Sequence, residues 1–244
     1  MSEIQIPLPG DHPQKDTNDS TVSVETGYAF WSESYDSFSN PMTYLVEKHL
    51  ADLVSHGAHD ISPVLELGCG TGRNLEHLMQ MGASNGVGVD ISEEMLAIAR
   101  KRLEGTEITV QRHDLSNGLP LNDESFNTIL ISLVLEHIEN IQPVIAEASR
   151  MLAPNGQLVI FEIHPYQRLN GRRAHYKDES GTDRFLPSYP HLIKDYVQAA
   201  RQAGLILDRL EEYQGTPELV KEFPKLARYG DTPIVLGLRF RCSE

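Results

Sequence analysis

Six residues between positions 66 and 114 have side chains, or the lack of one, that suit a nucleoside-like ligand. Gly68, Gly70 and Gly72 fall at every second position of PVLELGCGTGRN (63–74), directly behind an apolar run. A glycine-rich turn after a short buried strand lets backbone approach a bound molecule closely. A phosphate-cradling P-loop needs GxxxxGK[ST], and no lysine stands in this turn. A dinucleotide fingerprint needs GxGxxG, and its third glycine falls at position 73, which is Arg73. The three carboxylates then narrow the ligand. Glu66, two residues before Gly68, opposes a phosphate and suits a cation. Asp90 ends the next apolar run, placed to accept from two ribose hydroxyls, and Asp114 ends the one after, placed to meet an exocyclic amine.

The ligand so described has an adenine, a ribose and an ammonium or sulfonium, and no phosphate. S-adenosylmethionine fits that description.

The elements that must hold these residues follow in a repeating rhythm. PVLELG reads as a buried strand and TGRNLEHLMQMG as a helix closing at Gly82. GVGVD (86–90) is a strand, and ISEEMLAIARKRLEG a helix with Ser92 as cap, Glu93 and Glu94 at its positive end and Gly105 at its stop. Strands are expected at 107–114, within 126–135 and at 157–165, with a helix through IAEASRML and APNG as a turn. LIKDYVQAARQAG (192–204) is helical, and LILDRLEEY (205–213) and TPIVLGLRFR (232–241) are strands. Alternating strands and helices with near-continuous apolar strands predict an α/β fold, a mostly parallel sheet with helices on both faces and an antiparallel end. Residues 1–24 read as a flexible N-terminal arm and 25–244 as a single domain. Residues 25–58 supply helices ahead of it, and 164–191 and 214–233 are insertions on the substrate side.

Five ordered motifs carry a resemblance: ELGCGTG, VDIS followed by EEML, HDL, ISLVLEHI, and RMLAPNGQLVI. Together, over roughly residues 60–164, they resemble class I SAM-dependent methyltransferases, most of all the small-molecule branch that includes ubiquinone and menaquinone biosynthesis enzymes. The resemblance implies a Rossmann-like seven-stranded sheet with an antiparallel last strand and a helical N-terminal lid. It implies that Glu66, Gly68, Cys69, Gly70, Gly72 and Asn74 line the methionine part and that Asp90 holds the ribose. Ile91 and Met95 would pack on the adenine, with Asp114 and Leu115 at its edge. The backbone at Ser132–Leu133 would face the amino group, and Tyr35 of YAFWSESYDSF (28–38) would reach the cofactor from the lid. Other uses stay open: a turn residue at Asp114, a small apolar filler at Cys69, core packing for Phe30 and Trp31.

Methyl transfer is an in-line displacement, so alignment and desolvation matter most, and a base is needed where the nucleophile loses a proton. The expected catalytic candidates lie past strands four and five: Glu136, His137 and His164. Glu136 and His137 either touch the reaction or only position a helix. An ExxEH metal set would need glutamate at 133, which is Leu133, so no metal is expected. No [ND]PP[YF] motif and no cysteine follow strand four. The segment 164–191 interleaves Arg168, Arg172, Arg173 and Lys177 with Tyr166, His175 and Tyr176. These residues, with Tyr28, are the substrate-binding candidates; they either meet an acidic acceptor or lie on a solvated loop. The expected function is transfer of a methyl group to O, N or C of a small metabolite, acidic if that cluster meets it. The alternative is a SAM-binding protein of the same fold without methyl transfer.

The bulk composition agrees with a soluble globular chain of 244 residues, 40% hydrophobic and 23% charged. A net charge of -14 disfavours nucleic acid and anionic membranes as partners, so the expected partner is a small-molecule acceptor, with the protein a monomer or homodimer. Two distant cysteines, Cys69 and Cys242, suit a reducing cytoplasm, and no signal peptide or membrane-length apolar run is seen.

Overall fold

A computed structural model describes residues 21–32, 34–37, 39–54, 60–178 and 180–242. The expected arm therefore falls almost wholly outside the described residues, as do Phe38 of the lid segment and the end of the 25–58 helical stretch.

Two helices precede the sheet: α1 (Val24–Trp31) and α2 (Pro41–Leu53). Each begins where its sequence supplies a cap. Ser23 Oγ accepts the Thr26 N–H, and Asn40 Oδ1 accepts the Met42 N–H with Pro41 following at the first helical position. The alternation then runs β1 (Val64–Leu67), α3 (Arg73–Gln80), β2 (Asn85–Asp90), α4 (Glu93–Arg102), β3 (Glu107–Arg112), β4 (Phe126–Ser132), α5 (Gln142–Met151) and β5 (Leu152–Ile163). Ser92 caps α4 through the Met95 N–H, acids fill its first turn, and Arg100, Lys101 and Arg102 fill its last. Beyond β5 come α6 (Pro165–Leu169), a small hairpin of β6 (His175–Lys177) and β7 (Asp183–Phe185), α7 (Ile193–Gln202), β8 (Leu205–Tyr213), α8 (Pro217–Glu222) and β9 (Val235–Cys242). The hairpin lies in the stretch read from sequence only as an insertion.

The main sheet has seven strands in the order β3-β2-β1-β4-β5-β9-β8. β9 is antiparallel to both of its neighbours, and the other four pairings are parallel. Side chains alternate between two cores even where the strands read as unbroken apolar runs. Leu130, Val159 and Phe161 face the side covered by α2 and α3, while Ile129, Ile131, Leu158 and Ile160 face the side covered by α5 and α7. Leu45, Leu50 and Leu53 fix α2 to its face by full burial, each contributing about 1.5–3 kcal/mol. Glu66 points to the same face as Val64, toward α3, and is buried (1% exposed). Among the described residues no helix is long and apolar enough to cross a membrane.

Candidate functional site

Where β1 ends, the chain must turn sharply into α3 without losing its backbone hydrogen bonds. Gly68 and Cys69 both donate N–H to the Val89 carbonyl of β2, at 2.8 and 2.9 Å. Gly68 adopts φ +78, and a Cβ there would stand 2.3 Å from Val134 Cγ2. Backbone conformation and space both demand glycine. At Gly70 (φ +51) a Cβ would meet nothing within 4 Å, so this glycine borders open space. Its N–H donates to Asp90 Oδ2 at 2.8 Å, while Asp90 Oδ1 accepts from Ser92 N at 2.9 Å. The Asp90 carboxylate is thus fixed in direction with acceptor capacity left over. Burial raises its pKa above the ordinary value, against the pull of those backbone donors.

Two cavities meet at this turn. The smaller, about 40 Å³, is lined by Glu66, Cys69, Gly70, Arg73, Asn74 and Leu133, with Thr43 and Val46 of α2 closing it. Asn74 Nδ2 donates to Glu66 Oε1 at 2.8 Å, whereas Glu66 Oε2 is buried with no hydrogen-bond partner. Burial pushes the Glu66 carboxyl up to about 8, the neighbouring Asp90 charge adding to it and the Asn74 bond opposing. A buried carboxylate oxygen without a donor is costly unless a ligand supplies one, and an ammonium would. Opposite it, Leu133 holds φ +57 with its N–H on the Phe161 carbonyl at 2.8 Å. That strained residue ends β4 against the cavity. Cys69 is buried against Gly88, and burial raises its thiol well above the ordinary value, in keeping with a space-filling role.

The larger cavity measures about 360 Å³. It is lined by Asp90, Ile91, Met95, Asp114 and Leu115 together with Tyr28, Tyr35, Leu133, His137 and Pro187. Asp114 is exposed and its Oδ1 accepts the Ser116 N–H, which shapes the loop after β3. Gly72, in the left-handed region, starts α3 and lines neither cavity. Ion pairs bring the N-terminal segment over the site: Asp36 accepts from Thr71 Oγ1 at 2.8 Å and pairs with Arg102 at 2.6 Å, and Glu25 pairs with Arg112 at 2.6 Å. These fastening residues were not among the sequence candidates, because each contact joins elements far apart in the chain.

The catalytic candidates divide. His137 sits in the cavity wall, where its Nδ1 is 2.7 Å from the Pro187 carbonyl and its Nε2 is 3.0 Å from Tyr28 Oη. A carbonyl only accepts, so Nδ1 carries a proton, and in that tautomer Nε2 is placed to accept from the Tyr28 hydroxyl. Glu136 is buried and turned aside, accepting from Ser188 Oγ at 2.8 Å and facing Arg168 Nε at 4.0 Å. His164 does not reach either cavity. Its Nδ1 accepts the Tyr166 N–H as cap of α6, and its Nε2 donates to Glu212 at 2.7 Å, so both ring nitrogens are occupied. Glu162, missed in the sequence, is fully buried and accepts the N–H groups of Val134 and Leu135, which fixes the turn carrying His137. Burial and the nearby Glu136 push its carboxyl up to about 8.

The basic cluster disperses. Arg168 pairs with Glu136, Arg172 lies over the Tyr229 ring and Arg173 over the Phe185 ring, while Tyr166 is half exposed on α6. None of these four lines the two cavities; of the substrate candidates only Tyr28 does. His175 lines a third cavity, outside these two.

Residues 65–160 match the family described as a methyltransferase domain. A demethylmenaquinone methyltransferase of Tropheryma whipplei is 36% identical over 149 residues, 59% of this chain and 61% of that protein, so the chain spans less than two thirds of that relative's length. An uncharacterized protein of Methanocaldococcus jannaschii is 28% identical over 203 residues, covering 80% of this chain and 86% of that protein. Among solved structures, an S-adenosylmethionine-dependent methyltransferase from Mesorhizobium loti is 26% identical with TM-score 0.63, covering 73% of this chain and 90% of that one.

Proposed function

We propose that this chain, which carries a class I S-adenosylmethionine-dependent methyltransferase domain, transfers a methyl group to an oxygen, nitrogen or carbon of a small molecule. The observation that carries the reading is the pair of cavities meeting at the glycine turn, with a partnerless carboxylate oxygen of Glu66 in the smaller and Asp90 in the larger. Glu66 and Asn74 hold the amino-acid end, Asp90 the ribose, and Ile91, Met95 and Leu115 the adenine. Bound there, S-adenosylmethionine supplies a methyl group on a sulfonium, whose C–S electron pair stays on sulfur as the nucleophile's pair forms the new bond.

The nucleophile's proton has a route through residues of this chain. Tyr28 Oη takes it while giving its own proton to His137 Nε2, and the resulting imidazolium keeps its Nδ1–H on Pro187. Glu136 Oε1, 3.9 Å from Nε2, balances the new charge. Burial holds the Tyr28 hydroxyl well above its ordinary pKa, so the transfer is a relay to histidine and not storage on a phenolate. The buried free cysteine and the acidic net charge suit a cytoplasmic enzyme acting on a small molecule.

Calorimetric titration with S-adenosylmethionine, S-adenosylhomocysteine, NAD and ATP tests the donor site. Micromolar binding of the first two alone is expected, and preference for NAD or ATP overturns the reading. Release of S-adenosylhomocysteine with an acceptor separates methyl transfer from mere binding.

A further inference from the structure

Glu162 stands fully buried on β5 beside the Tyr28–His137 relay, which makes no use of its charge. Its Oε1 accepts the N–H groups of Val134 at 2.9 Å and Leu135 at 2.7 Å, which lead into the turn Leu135–His137. A second segment holds the same turn. The Pro187 carbonyl accepts from His137 Nδ1, Ser188 Oγ donates to Glu136 Oε2, and the Tyr189 N–H donates to the Glu136 carbonyl at 2.7 Å. None of these bonds requires a charge at position 162. An amide oxygen would accept both N–H groups without placing an ionisable carboxyl out of water. Glu162 Oε2, moreover, is buried with no hydrogen-bond partner among the described residues.

The groups around it show what a carboxyl adds. Facing Glu162 are Glu136 and His137 on the turn, Tyr28 on α1, Arg168 on α6 and Tyr196 on α7. Burial holds both phenols well above their ordinary pKa, so they stay neutral. Glu136 already has a cation opposite, since Arg168 Nε lies 4.0 Å from its Oε2. Glu162 makes no ion pair among the described residues. With both carboxyls ionised the cluster therefore holds one excess negative charge away from water. A single proton neutralises it, and two seats are open: the Glu162 carboxyl, and His137 Nε2 at 3.9 Å from Glu136. Burial and Glu136 push Glu162 up to about 8, against the pull of the turn's N–H groups. At pH 7 it is thus about nine-tenths protonated. An imidazolium formed at that moment adds a positive charge to a neutral buried cluster. Formed after Glu162 has lost its proton to solvent, the imidazolium restores neutrality.

We propose that Glu162 is a positioning residue for the relay: one oxygen fixes the turn that carries His137, and its ionised carboxylate lets the imidazolium complete a neutral cluster with Glu136 and Arg168. The inference rests on the methyl-transfer reading and on the relay proposed with it.

The test uses the full chain loaded with S-adenosylhomocysteine and labelled with 15N-histidine and carboxyl-13C-glutamate, followed by NMR from pH 5 to pH 10. The His137 signals are assigned by their loss in His137→Gln and the Glu162 signal by its loss in Glu162→Asp. In wild type the His137 ring is expected to move in two steps. The upper step should be at least about a tenth of the full imidazole-to-imidazolium change and coincide with the Glu162 carboxyl, near pH 8. Glu162→Gln keeps an oxygen for the two N–H groups and should abolish the upper step while retaining the lower. A role confined to holding the turn leaves the His137 titration unchanged in that variant, and this result overturns the inference. Where Glu162→Gln fails to fold, the wild-type spectra decide: a His137 ring with no step at the Glu162 titration overturns the inference as well. Failure of S-adenosylhomocysteine to bind overturns the donor reading and this inference with it; its binding with uncoupled titrations overturns this inference alone.

Discussion

In the proposed donor site Glu66 should make cofactor binding sensitive to pH, because an ammonium partner requires its ionised form. In the free protein its carboxyl is pushed up to about 8 by burial. At pH 7 a carboxyl of that pKa is about nine-tenths protonated, at pH 9 about one-tenth. An ammonium beside Oε2 requires the ionised form, so binding at pH 7 must first remove a proton, an elevenfold penalty of about 1.4 kcal/mol. At pH 9 that penalty is nearly gone. The wild-type affinity for S-adenosylhomocysteine, divided by that of Glu66→Gln, should therefore rise about tenfold from pH 7 to pH 9. The ligand's own titration cancels in the ratio. Calorimetry in buffers of different ionisation enthalpy should show about 0.9 more protons released by wild type than by the variant at pH 7, and about 0.1 at pH 9. Stability of the free protein moves the other way: a carboxyl raised above its unfolded value of 4.5 favours folding fully below that pH and progressively less up to about 8. Glu66→Gln should thus raise the melting temperature at pH 8 and hardly at pH 5. An affinity ratio flat from pH 7 to 9 would refute the assignment of Glu66 to the ammonium.

Asp90→Ala loses the carboxylate that shapes the turn and that the proposed donor site sets against the ribose, and S-adenosylhomocysteine affinity should fall by about 2–4 kcal/mol, read by calorimetry. Gly68→Ala forces a Cβ into Val134 at φ +78, and urea unfolding should show a loss of at least about 2 kcal/mol. Arg168→Met leaves Glu136 buried without its cation and should cost about 3 kcal/mol of stability with little change in acceptor KM, since Arg168 lines none of the three cavities. Tyr28→Phe breaks the relay to His137; with a protic acceptor kcat should fall at least tenfold at pH 7 and recover as the acceptor ionises at higher pH, whereas a packing role predicts a loss independent of pH.

What the sequence made legible is what sits within one strand-turn-helix step. The glycine turn, Asp90 at the end of β2 and the Ser92 cap all follow from residues fewer than 25 positions apart, whose geometry is fixed by strand period and helix capping. The cover on both sheet faces and the antiparallel end were also legible, since near-continuous apolar strands and a last pair with no full-length helix pattern between them leave few topologies. His164 shows where local reading stops short of its own signals. A histidine before Pro165, itself the first residue of a short helix, stands at the cap position, and that use of Nδ1 was readable; the Glu212 partner 48 residues on was not. The Tyr28–His137–Pro187 relay joins positions 109 and 50 apart in sequence, and no pattern of spacing encodes such a meeting.

The basic insertion carries the sharper lesson, because there composition pointed one way and packing the other. Arg168, Arg172 and Arg173 are near neighbours in sequence, yet each guanidinium finds a different partner: a buried carboxylate, the Tyr229 ring, the Phe185 ring. A guanidinium taken out of water without a partner would pay the desolvation of its charge with nothing in return, and each of these groups sits against an acceptor or a π face. Two aromatic rings of the same segment, His175 and Tyr176, line the third cavity. The side chains that most suggested anion binding thus line neither donor cavity, because each is held by a partner elsewhere in the fold.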